Sequence, residues 1–550
     1  MADDIIIGYG AKIGRSSAEA DDEFLFDCFI EHPLLQQLRD VSSPETFLYG
    51  RTGVGKTAFL RKLENDEEHV SSIDLQAVAL DYVANSDIIN FLSSLELNLD
   101  IFFQALWKHV LLLEYIKLRY NVTDEGKSKT VFEGFVKKFK KNRRMDSALD
   151  YLQDYQRKFW ISADESVREL TEGLEESVSA ELGAEIEKFK ANAGYARTLK
   201  SEKKSNVQQR AKKFIDSKLL AEQSKVLDLL KAYNKGRKGN KAGKYYILID
   251  GLDDNWVDDE LRYQLIRSLI ECQKTFGKVL DLKLLVTIRA DIFERVLQVT
   301  DSPGSQRDKY NDYLSKIQWN NVQLRELVDK RINTFCKRKY TSKDLYFKDL
   351  FVEKVGTIPS FKYILDRTLM RPRDIILFIN EALHEAVNSA SVTAGHIRSA
   401  EQRYSRLRKR ALVDEWKSAL PSIDDLLGLL TGQKARITIA DLTGTKNIQD
   451  VVLKLSELKS EKHDPIVQYI FKTINTWGNE NEDHLLKLIA SELYRTGAIG
   501  LKLTNNDKHS YSYKDTPMIS PRELSLNTRI HIHQFLHPAL NINSKSQSKR

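Results

Sequence analysis

The residues best suited to chemistry form a glycine-rich turn within the sequence FLYGRTGVGKTAFLRKLE. Gly50, Gly55, Lys56 and Thr57 match the spacing G-x-x-x-x-G-K-S/T of a phosphate-binding loop. Glycines let the backbone wrap closely around an anion, so that successive amide N–H groups face phosphate oxygens. We expect Lys56 to reach the β- and γ-phosphates of a nucleotide and the Thr57 hydroxyl to ligate Mg²⁺.

The residues on either side of this turn predict a strand before it and a helix after it. TFLY is a short apolar run, and Ala58, Leu60 and Leu63 recur at helical spacing. The helix adds the positive end of its dipole to the site of the anion, and a chance match would not carry both flanking elements. The predicted nucleotide-binding residues of the turn are Gly50, Arg51, Thr52, Gly53, Val54, Gly55, Lys56, Thr57 and Ala58.

A second set of candidate residues follows an apolar run in KYYILIDGLDDNW. The run Tyr245–Ile249 is typical of a central parallel strand that is buried on both faces. Asp250 stands at its C-terminal end, where ligands of open α/β sheets bind, and we predict that it holds Mg²⁺ directly or through water. Asp253 and Asp254 are placed to orient or deprotonate the attacking water. The alternative for these acids is a solvated acidic turn.

A third strand is predicted in LKLLVTIRADIF, which carries Thr287 and Arg289 near its end. Arg289 is a candidate catalytic residue because a cation at the tip of a strand beside the nucleotide can sense the γ-phosphate. The alternative is that Arg289 pairs with Asp291 or Glu294 at the start of a helix, and both interpretations stay open. A fourth short strand is predicted over Lys316–Asn320. Strands with helices between them indicate a parallel sheet.

These pieces together resemble the STAND and AAA-like branch of P-loop ATPases. AAA+ ATPases place Glu directly after the metal-binding Asp, whereas ILIDGLDD has Gly251 there and acids two and three residues further on, which is the STAND-like arrangement. SAEADDEFLFDCFIEHP, VTIRADIF, RPRDIILFINEA and IHQFLHPAL are similar to a bacterial family of P-loop ATPases of about this size. The resemblance implies a protein that binds ATP and Mg²⁺ and either hydrolyses ATP or uses it to gate assembly.

The segment RPRD extends this resemblance to a helical lid. In AAA-like proteins a small helical lid places an arginine over the nucleotide, and in STAND proteins a proline of the lid contacts the base. By this resemblance Arg371, Pro372 and Arg373 are candidate nucleotide-binding residues. The alternative is a helix N-terminus with an early proline and solvated arginines.

Length and composition indicate a folded protein with several domains. A chain of 550 residues is too long for one core, and 41% hydrophobic residues with 10 prolines are typical of a helix-rich globular protein. The three cysteines are far apart and predict neither disulfides nor a zinc motif. No signal peptide or membrane-spanning run is visible, so we expect a cytoplasmic protein without a membrane partner. The net charge of +7 permits nucleic-acid binding without demonstrating it.

The predicted fold class is α/β, with a P-loop NTPase parallel sheet, a long helical insertion, a helical lid and a C-terminal winged-helix-like domain. We assign residues 1–90 to the N-terminal lead-in and the first part of the ATPase core, and 91–243 to the helical insertion. Residues 244–334 are predicted to complete the core, 335–420 to form the lid and 421–550 to form the winged-helix-like domain.

Several further predictions concern the regions outside the core. The segment AIGLKLTNNDKHSYSYKDT is typical of a β-hairpin, and helices followed by a hairpin resemble a winged helix. Another strand is predicted over Leu75–Val83, and the basic clusters KKFKKNRR and NKGRKGNKAGK flank the insertion. His531, His533 and His537 are weak candidates for a metal site because no cysteine or carboxylate cluster accompanies them.

The favoured hypothesis is a slow, Mg²⁺-dependent ATPase that acts as a molecular switch, with ATP or ADP and a protein trigger or effector as partners. The resemblance implies a role in bacterial defence or stress signalling, and a homo-oligomer is common for this fold. The alternative is a DNA-dependent AAA-like ATPase or loader that uses the winged helix and the basic loops. Nucleic acid is the less favoured partner because the helix EDHLLKLIASELYRTG is poor in basic residues. A third hypothesis is a scaffold that binds nucleotide without hydrolysis.

Overall fold

A computed structural model describes most of the chain outside the predicted insertion, and it divides that chain into two compact units. The sheet unit comprises Glu31–Arg51 and Lys56–Ile317, and the helical unit comprises Met1–Ile30, Thr52–Gly55 and Gln318–Arg550. The described residues are 5–73, 89, 99–120, 172, 205–206, 209, 227–228, 243–252, 259–277, 281–299, 308–442, 448–457, 464–504, 506–516 and 518–543. None of the helices within these ranges is long and apolar enough to cross a membrane.

A five-stranded parallel sheet forms the centre of the sheet unit, and it confirms the predicted mixed α/β class. Its spatial order is β2-β3-β4-β1-β5, and neighbouring strands run parallel throughout. The strands are β1 (Phe47–Gly50), β2 (Val70–Ile73), β3 (Tyr245–Ile249), β4 (Leu282–Arg289) and β5 (Leu314–Lys316). Every residue of β3 is buried, as expected for an apolar strand with neighbours on both sides.

One of the predicted strands differs from the structure, and another lies outside the described residues. The fourth strand is Leu314–Lys316 rather than Lys316–Asn320, because Asn320 instead caps the next helix through a reciprocal capping box with Gln323. The strand predicted over Leu75–Val83 lies outside the described residues, and β2 ends just before it. Of the predicted helical insertion the structure describes the helix Asp100–Tyr120 and a few isolated residues, and the basic clusters lie outside the described residues apart from Gly243 and Lys244.

Helices cover the strands of the sheet unit. The helix Lys56–Asp66 buries Phe59, Leu60 and Leu63, and the helix Asp100–Tyr120 packs against Asp259–Phe276. The described helices of this unit are Pro33–Arg39, Lys56–Asp66, Asp100–Tyr120, Asp259–Phe276, Ala290–Val299 and Asp308–Asn311. Apolar side chains that recur on one face of each helix explain this packing.

Helices predominate in the helical unit. The helices Pro372–Glu385 and Ala394–Trp416 pack together, and Phe378 of the first stacks on Tyr404 of the second at a centroid distance of 4.5 Å. The N-terminal segment is tied to this unit by a buried ion pair of 2.6 Å between Arg331 and Asp21. The described α-helices are Asp22–Leu25, Asn321–Lys339, Phe347–Leu350, Ser360–Leu365, Pro372–Glu385, Ala394–Trp416, Ile423–Leu429, Ile448–Ser456, Pro465–Thr473 and Asn479–Thr496. Short 3-10 helices occur at Ala18–Ala20, Ile474–Thr476, Pro521–Glu523 and Gln534–Leu536.

The C-terminal part of the helical unit contains a three-stranded antiparallel sheet. The strands are β8 (Arg436–Thr438), β9 (Ile499–Lys502) and β10 (Arg529–Ile532), with β10 in the middle, and two shorter strands, β6 (Lys354–Val355) and β7 (Ile358–Pro359), pair elsewhere. Within the described residues the predicted hairpin is present as a bridge between Leu501 and Ser510, whereas β9 pairs along its length with β10.

Two histidines, His531 within β10 and His533 directly after it, are paired with tyrosines beside this sheet. The hydroxyl of Tyr511 lies in hydrogen-bond contact with Nδ1 of His531, and that of Tyr513 lies 2.9 Å from Nε2 of His533. Burial, with a smaller contribution from neighbouring histidines, lowers the pKa of His531 to about 4 and that of His533 well below its ordinary value. Both imidazoles are therefore neutral in the folded protein at neutral pH.

We predict that acid destabilises this sheet between pH 6.5 and about 4. In that range the unfolded histidine binds a proton and the folded one does not, so the free energy of unfolding falls as the pH falls. The full effect for His531 is about 3 kcal/mol. Hydrogen exchange of β9 and β10 amides, corrected for intrinsic rates, should show this loss in the wild type and a smaller one in His531→Gln. Equal pH dependence in the two proteins would contradict the prediction.

Candidate functional site

The glycine-rich turn connects the end of β1 to the start of the helix Lys56–Asp66, as its sequence predicts. Gly53 has φ of +79° and Gly55 has φ of +101°. These values lie in the left-handed region, which residues with a Cβ atom rarely adopt, so the turn depends on glycine at both positions. Thr57 and Ala58 follow in the first helical turn and are partly buried.

The side chain of Lys56 folds back over the first residues of the turn. Its Nζ donates to the carbonyl of Gly50 at 3.3 Å and to that of Arg51 at 3.5 Å. The lysine is buried, and the helix that carries it starts at this residue. A cation and a helix N-terminus therefore occur together at the turn, which is the combination that favours a bound anion.

Asp250 lies directly after β3 and contacts the neighbouring strand β4. Its Oδ1 accepts from the backbone N–H of Gly251 at 3.0 Å and from the hydroxyl of Thr287. Thr287 also pairs in register with Leu48 of β1, because β4 lies between β3 and β1. The sequence marked Thr287 as a polar residue near the tip of this strand, but its contact with Asp250 was not predicted.

Arg289 ends β4 and stands opposite Gly50 in the sheet register. Its guanidinium forms two hydrogen bonds with the carboxylate of Asp291, Nε to Oδ1 at 3.1 Å and Nη2 to Oδ2 at 2.8 Å. The sequence left two interpretations of Arg289 open, a γ-phosphate sensor and an ion pair at the start of a helix. The structure contains the ion pair with Asp291. The predicted catalytic acids Asp253 and Asp254 lie outside the described residues.

The residues Thr52–Gly55, called here the tip of the turn, belong to the helical unit and contact the segment predicted as a lid. Arg371 donates through Nη1 to the carbonyl of Thr52, and the backbone N–H of Arg373 donates to the carbonyl of Gly53 at 3.3 Å. Nε of Arg373 donates to the carbonyl of Ser16 at 3.1 Å. The two arginines are therefore neither solvated nor remote from the turn, and they bind its backbone.

The indole of Trp319 holds the next carbonyl of the tip. Its Nε1 donates to the carbonyl of Val54 at 2.7 Å. Trp319 is partly buried against the core of the helical unit and directly precedes the capping residue Asn320. No sequence signal selects this tryptophan, because its partner is a backbone atom that carries no side-chain pattern.

A buried ion network fixes Arg371. This residue is completely buried, and it pairs with Asp374 at 2.9 Å and with Glu415 at 3.2 Å, while Arg408 pairs with Asp374 at 3.2 Å. Burial acts to raise the pKa of Asp374, but the guanidinium groups of Arg371 and Arg408 outweigh it and lower the pKa to about 2. Asp374 therefore stays ionised, and each arginine keeps a charged partner.

Pro372 occupies the first turn of the helix Pro372–Glu385, which starts at the position that the sequence predicts.

No group of three or more His, Cys, Asp or Glu side chains within the described ranges is arranged to hold a metal ion. Two predicted ligands of Mg²⁺ lie within the described residues. Thr57 is in the first turn of the helix Lys56–Asp66 and Asp250 directly follows β3, and water would have to complete the coordination.

Two comparisons with known proteins relate to this chain. Residues 322–413 match the FunZ-associated C-terminal helical domain, a segment that contains Arg371, Pro372 and Arg373. The chain is also similar to the putative transposon gamma-delta 80.3 kDa protein of Escherichia coli (strain K12), with 23% identity over 543 residues. That alignment covers 96% of this chain and 67% of the relative.

We predict that Gly53→Ala destabilises the helical unit more than Gly432→Ala does. Both positions have a positive φ, of +79° and +75°, so both substitutions strain the backbone by about 1–2 kcal/mol. A Cβ at Gly53 would also lie 2.8 Å from Cβ of Arg373, whereas one at Gly432 would meet nothing within 4 Å. Urea unfolding should show an additional loss of about 1–3 kcal/mol for Gly53→Ala. Equal losses would mean that the tip and Arg373 are not in contact.

Proposed function

We propose that this chain is a Mg²⁺-dependent, ATP-binding P-loop protein of the STAND/AAA-like kind and that it hydrolyses ATP slowly as a molecular switch. The observation that carries the proposal is the turn Gly50–Thr57, which lies between the end of a parallel strand and the start of a helix. Asp250 and Thr287 supply a carboxylate and a hydroxyl at the C-terminal ends of neighbouring strands of the same sheet. Ligands of open α/β sheets bind at this edge.

Each residue of the turn has a role that suits its chemistry. The amides of Gly53, Val54 and Gly55 provide donors to the phosphates, and the helix N-terminus adds its partial positive charge. In the bound state Lys56 would exchange its contacts with the carbonyls of Gly50 and Arg51 for phosphate oxygens. Thr57 would ligate Mg²⁺, and the ion would supply positive charge that offsets the negative charge of the phosphates.

The strand β4 supports the proposed chemistry by its position. Because it lies between β3 and β1, Thr287 can hold Asp250 while standing in register with the strand that leads into the turn. We assign Thr287 the role of orienting Asp250 toward Mg²⁺. Arg289 would have to exchange Asp291 for the γ-phosphate to act as a sensor, so that its ion pair competes with this role.

Coupling to a partner requires that the nucleotide bind one arrangement of the protein more tightly than another. Arg371, Pro372 and Arg373 belong to the segment that matches the FunZ-associated helical domain, and Arg371 and Arg373 bind the backbone of the tip. We propose that this segment is the lid that responds to nucleotide. The three-stranded sheet with the helices Pro465–Thr473 and Asn479–Thr496 supports the proposal of a C-terminal winged-helix-like domain. The trigger would be a protein.

A second candidate function is a DNA-dependent ATPase, and one observation favours it. The relative in Escherichia coli carries the name of a transposon protein, and the alignment extends over nearly all of this chain. A transposon is a DNA element, so this name keeps DNA as a candidate partner. The name states no activity, however, and the helix Asn479–Thr496 contains only two basic residues besides His484.

We predict that Lys56→Ala strongly weakens ATP binding, with Lys62→Ala as the matched control on the same helix. Lys62 pairs with Asp66 on the exposed side of that helix and has no part in the turn. Removing the buried cation should weaken ATP binding by about 10²-fold, whereas Lys62→Ala should leave it unchanged. Calorimetric titration with ATP and Mg²⁺ measures both. Equal binding by wild type and Lys56→Ala would refute the phosphate-binding role.

Hydrolysis is tested separately from binding. Asp253→Ala and Asp254→Ala should bind ATP with the wild-type affinity, and the variant that lacks the water-orienting acid should lose turnover. If the wild type binds ATP but neither it nor any variant releases phosphate, the protein is a nucleotide-binding scaffold rather than a hydrolase.

The two candidate functions predict different responses to DNA. For the switch, turnover by the wild type should be the same with and without double-stranded DNA. For the DNA-dependent ATPase, turnover should rise severalfold and the rise should disappear as salt increases, because phosphate contacts release counterions. Phosphate release at two salt concentrations, with Lys56→Ala as the blank, distinguishes the two functions.

A further inference from the structure

Three successive carbonyls at the tip of the turn are each held by a different donor. The carbonyl of Thr52 accepts from the guanidinium of Arg371, that of Gly53 from the backbone N–H of Arg373, and that of Val54 from the indole of Trp319. All of these residues belong to the helical unit. The donors come from two places in the sequence, just before the helix Asn321–Lys339 and at the start of the helix Pro372–Glu385.

Fixing these carbonyls also fixes the amides that follow them. In a planar trans peptide the C=O of one residue and the N–H of the next point in opposite directions. Holding the carbonyls of Thr52, Gly53 and Val54 therefore turns the N–H groups of Gly53, Val54 and Gly55 away from the donors. A row of N–H groups facing the same concavity is the arrangement that binds a phosphate.

The donors themselves are rigid, which makes the restraint effective. Arg371 is completely buried, and its ion pairs with Asp374 and Glu415 hold the guanidinium in one position. Trp319 packs against the core of the helical unit, and the capping box that follows it fixes the chain. Glycine residues within the tip would otherwise sample many conformations, so an external restraint reduces the entropy lost on binding.

We propose that Trp319 and Arg371 are positioning residues that preorganise the tip amides for the β-phosphate of a nucleoside di- or triphosphate. This inference rests on the proposed function of the turn. It assigns Arg371 to the backbone of the loop rather than to the nucleotide, and it adds Trp319 to the site. The same contacts give the helical unit a direct influence on nucleotide affinity, because loss of either donor releases the tip.

The experiment compares Trp319→Phe with Trp477→Phe. The first variant keeps an aromatic ring and loses the donor to Val54, while the second loses an indole donor whose partner, at 3.4 Å, is Glu482 in the same unit. Calorimetric titrations with ATP, ADP and AMP give the stoichiometry and the Kd separately. For Trp319→Phe we expect the Kd of ATP and of ADP to rise about 2- to 10-fold with unchanged stoichiometry. The Kd of AMP, and all constants of Trp477→Phe, should not change.

A second readout needs no nucleotide. Hydrogen exchange of a peptide spanning Thr52–Gly55 should be faster in Trp319→Phe than in the wild type and unchanged in Trp477→Phe. Arg371→Lys keeps the charge between Asp374 and Glu415 but offers a shorter donor, so it should raise the Kd of ADP in the same way.

The outcomes separate this inference from the proposed function. If the wild type binds none of the three nucleotides, the proposed function fails and this inference fails with it. If the wild type binds ADP and both Trp319→Phe and Arg371→Lys bind it equally well, only the inference is overturned. A fall in stoichiometry at constant Kd, or an equal loss for AMP, would show a role in folding alone and would also overturn it.

Discussion

The restriction on Gly53 is the constraint on which the rest of the candidate site depends. Its backbone has φ of +79°, and a Cβ placed there would lie 2.8 Å from Cβ of Arg373. The absence of a side chain at Gly53 therefore does two things at once. It allows the left-handed turn that aims the following amides, and it lets the segment at the start of the helix Pro372–Glu385 approach the backbone closely enough to bind it.

That close approach requires a support that does not move, and buried charge provides it. Removing Arg371 from water is costly, and only the two carboxylates of Asp374 and Glu415 make its burial tolerable. A hydrophobic replacement could give equal stability, but it could not donate to the carbonyl of Thr52. The network therefore serves geometry more than stability. The low pKa of Asp374, about 2, means that this carboxylate stays ionised across the physiological pH range.

The core of the fold could be predicted from the sequence because its signals are local. The apolar run Tyr245–Ile249 and the mainly apolar segment Leu282–Arg289 are strands, and the turn between β1 and its helix lies where the glycines indicate. The strand before the helix Asn321–Lys339 was misplaced, because Asn320 and Gln323 favour a helix cap over a strand end. The hairpin after Ile499 was predicted from residues that are close in sequence. The strand that pairs along β9 is β10, which is distant in sequence, with Ile530 opposite Leu501.

The candidate site was harder to predict than the fold for a related reason. The residues of the turn carry their own signature, but the partners that hold it do not. Arg371 was expected to contact a nucleotide, and its burial depends on Glu415, which lies 44 residues away. Trp319 contacts a carbonyl, and every residue has a carbonyl, so no pattern of residue types marks this contact.

Under the proposed function, contacts that carry no signature in residue type would still control nucleotide affinity. The tip needs only three donors at fixed positions, and their chemical identity matters less than their rigidity. A guanidinium, a backbone amide and an indole perform one task here. Because two of them belong to the segment that matches the FunZ-associated helical domain, a change in that domain would reach the tip directly. Control of the turn then requires no contact between that domain and the phosphates themselves, only withdrawal of the hydrogen bonds that keep the amides aligned.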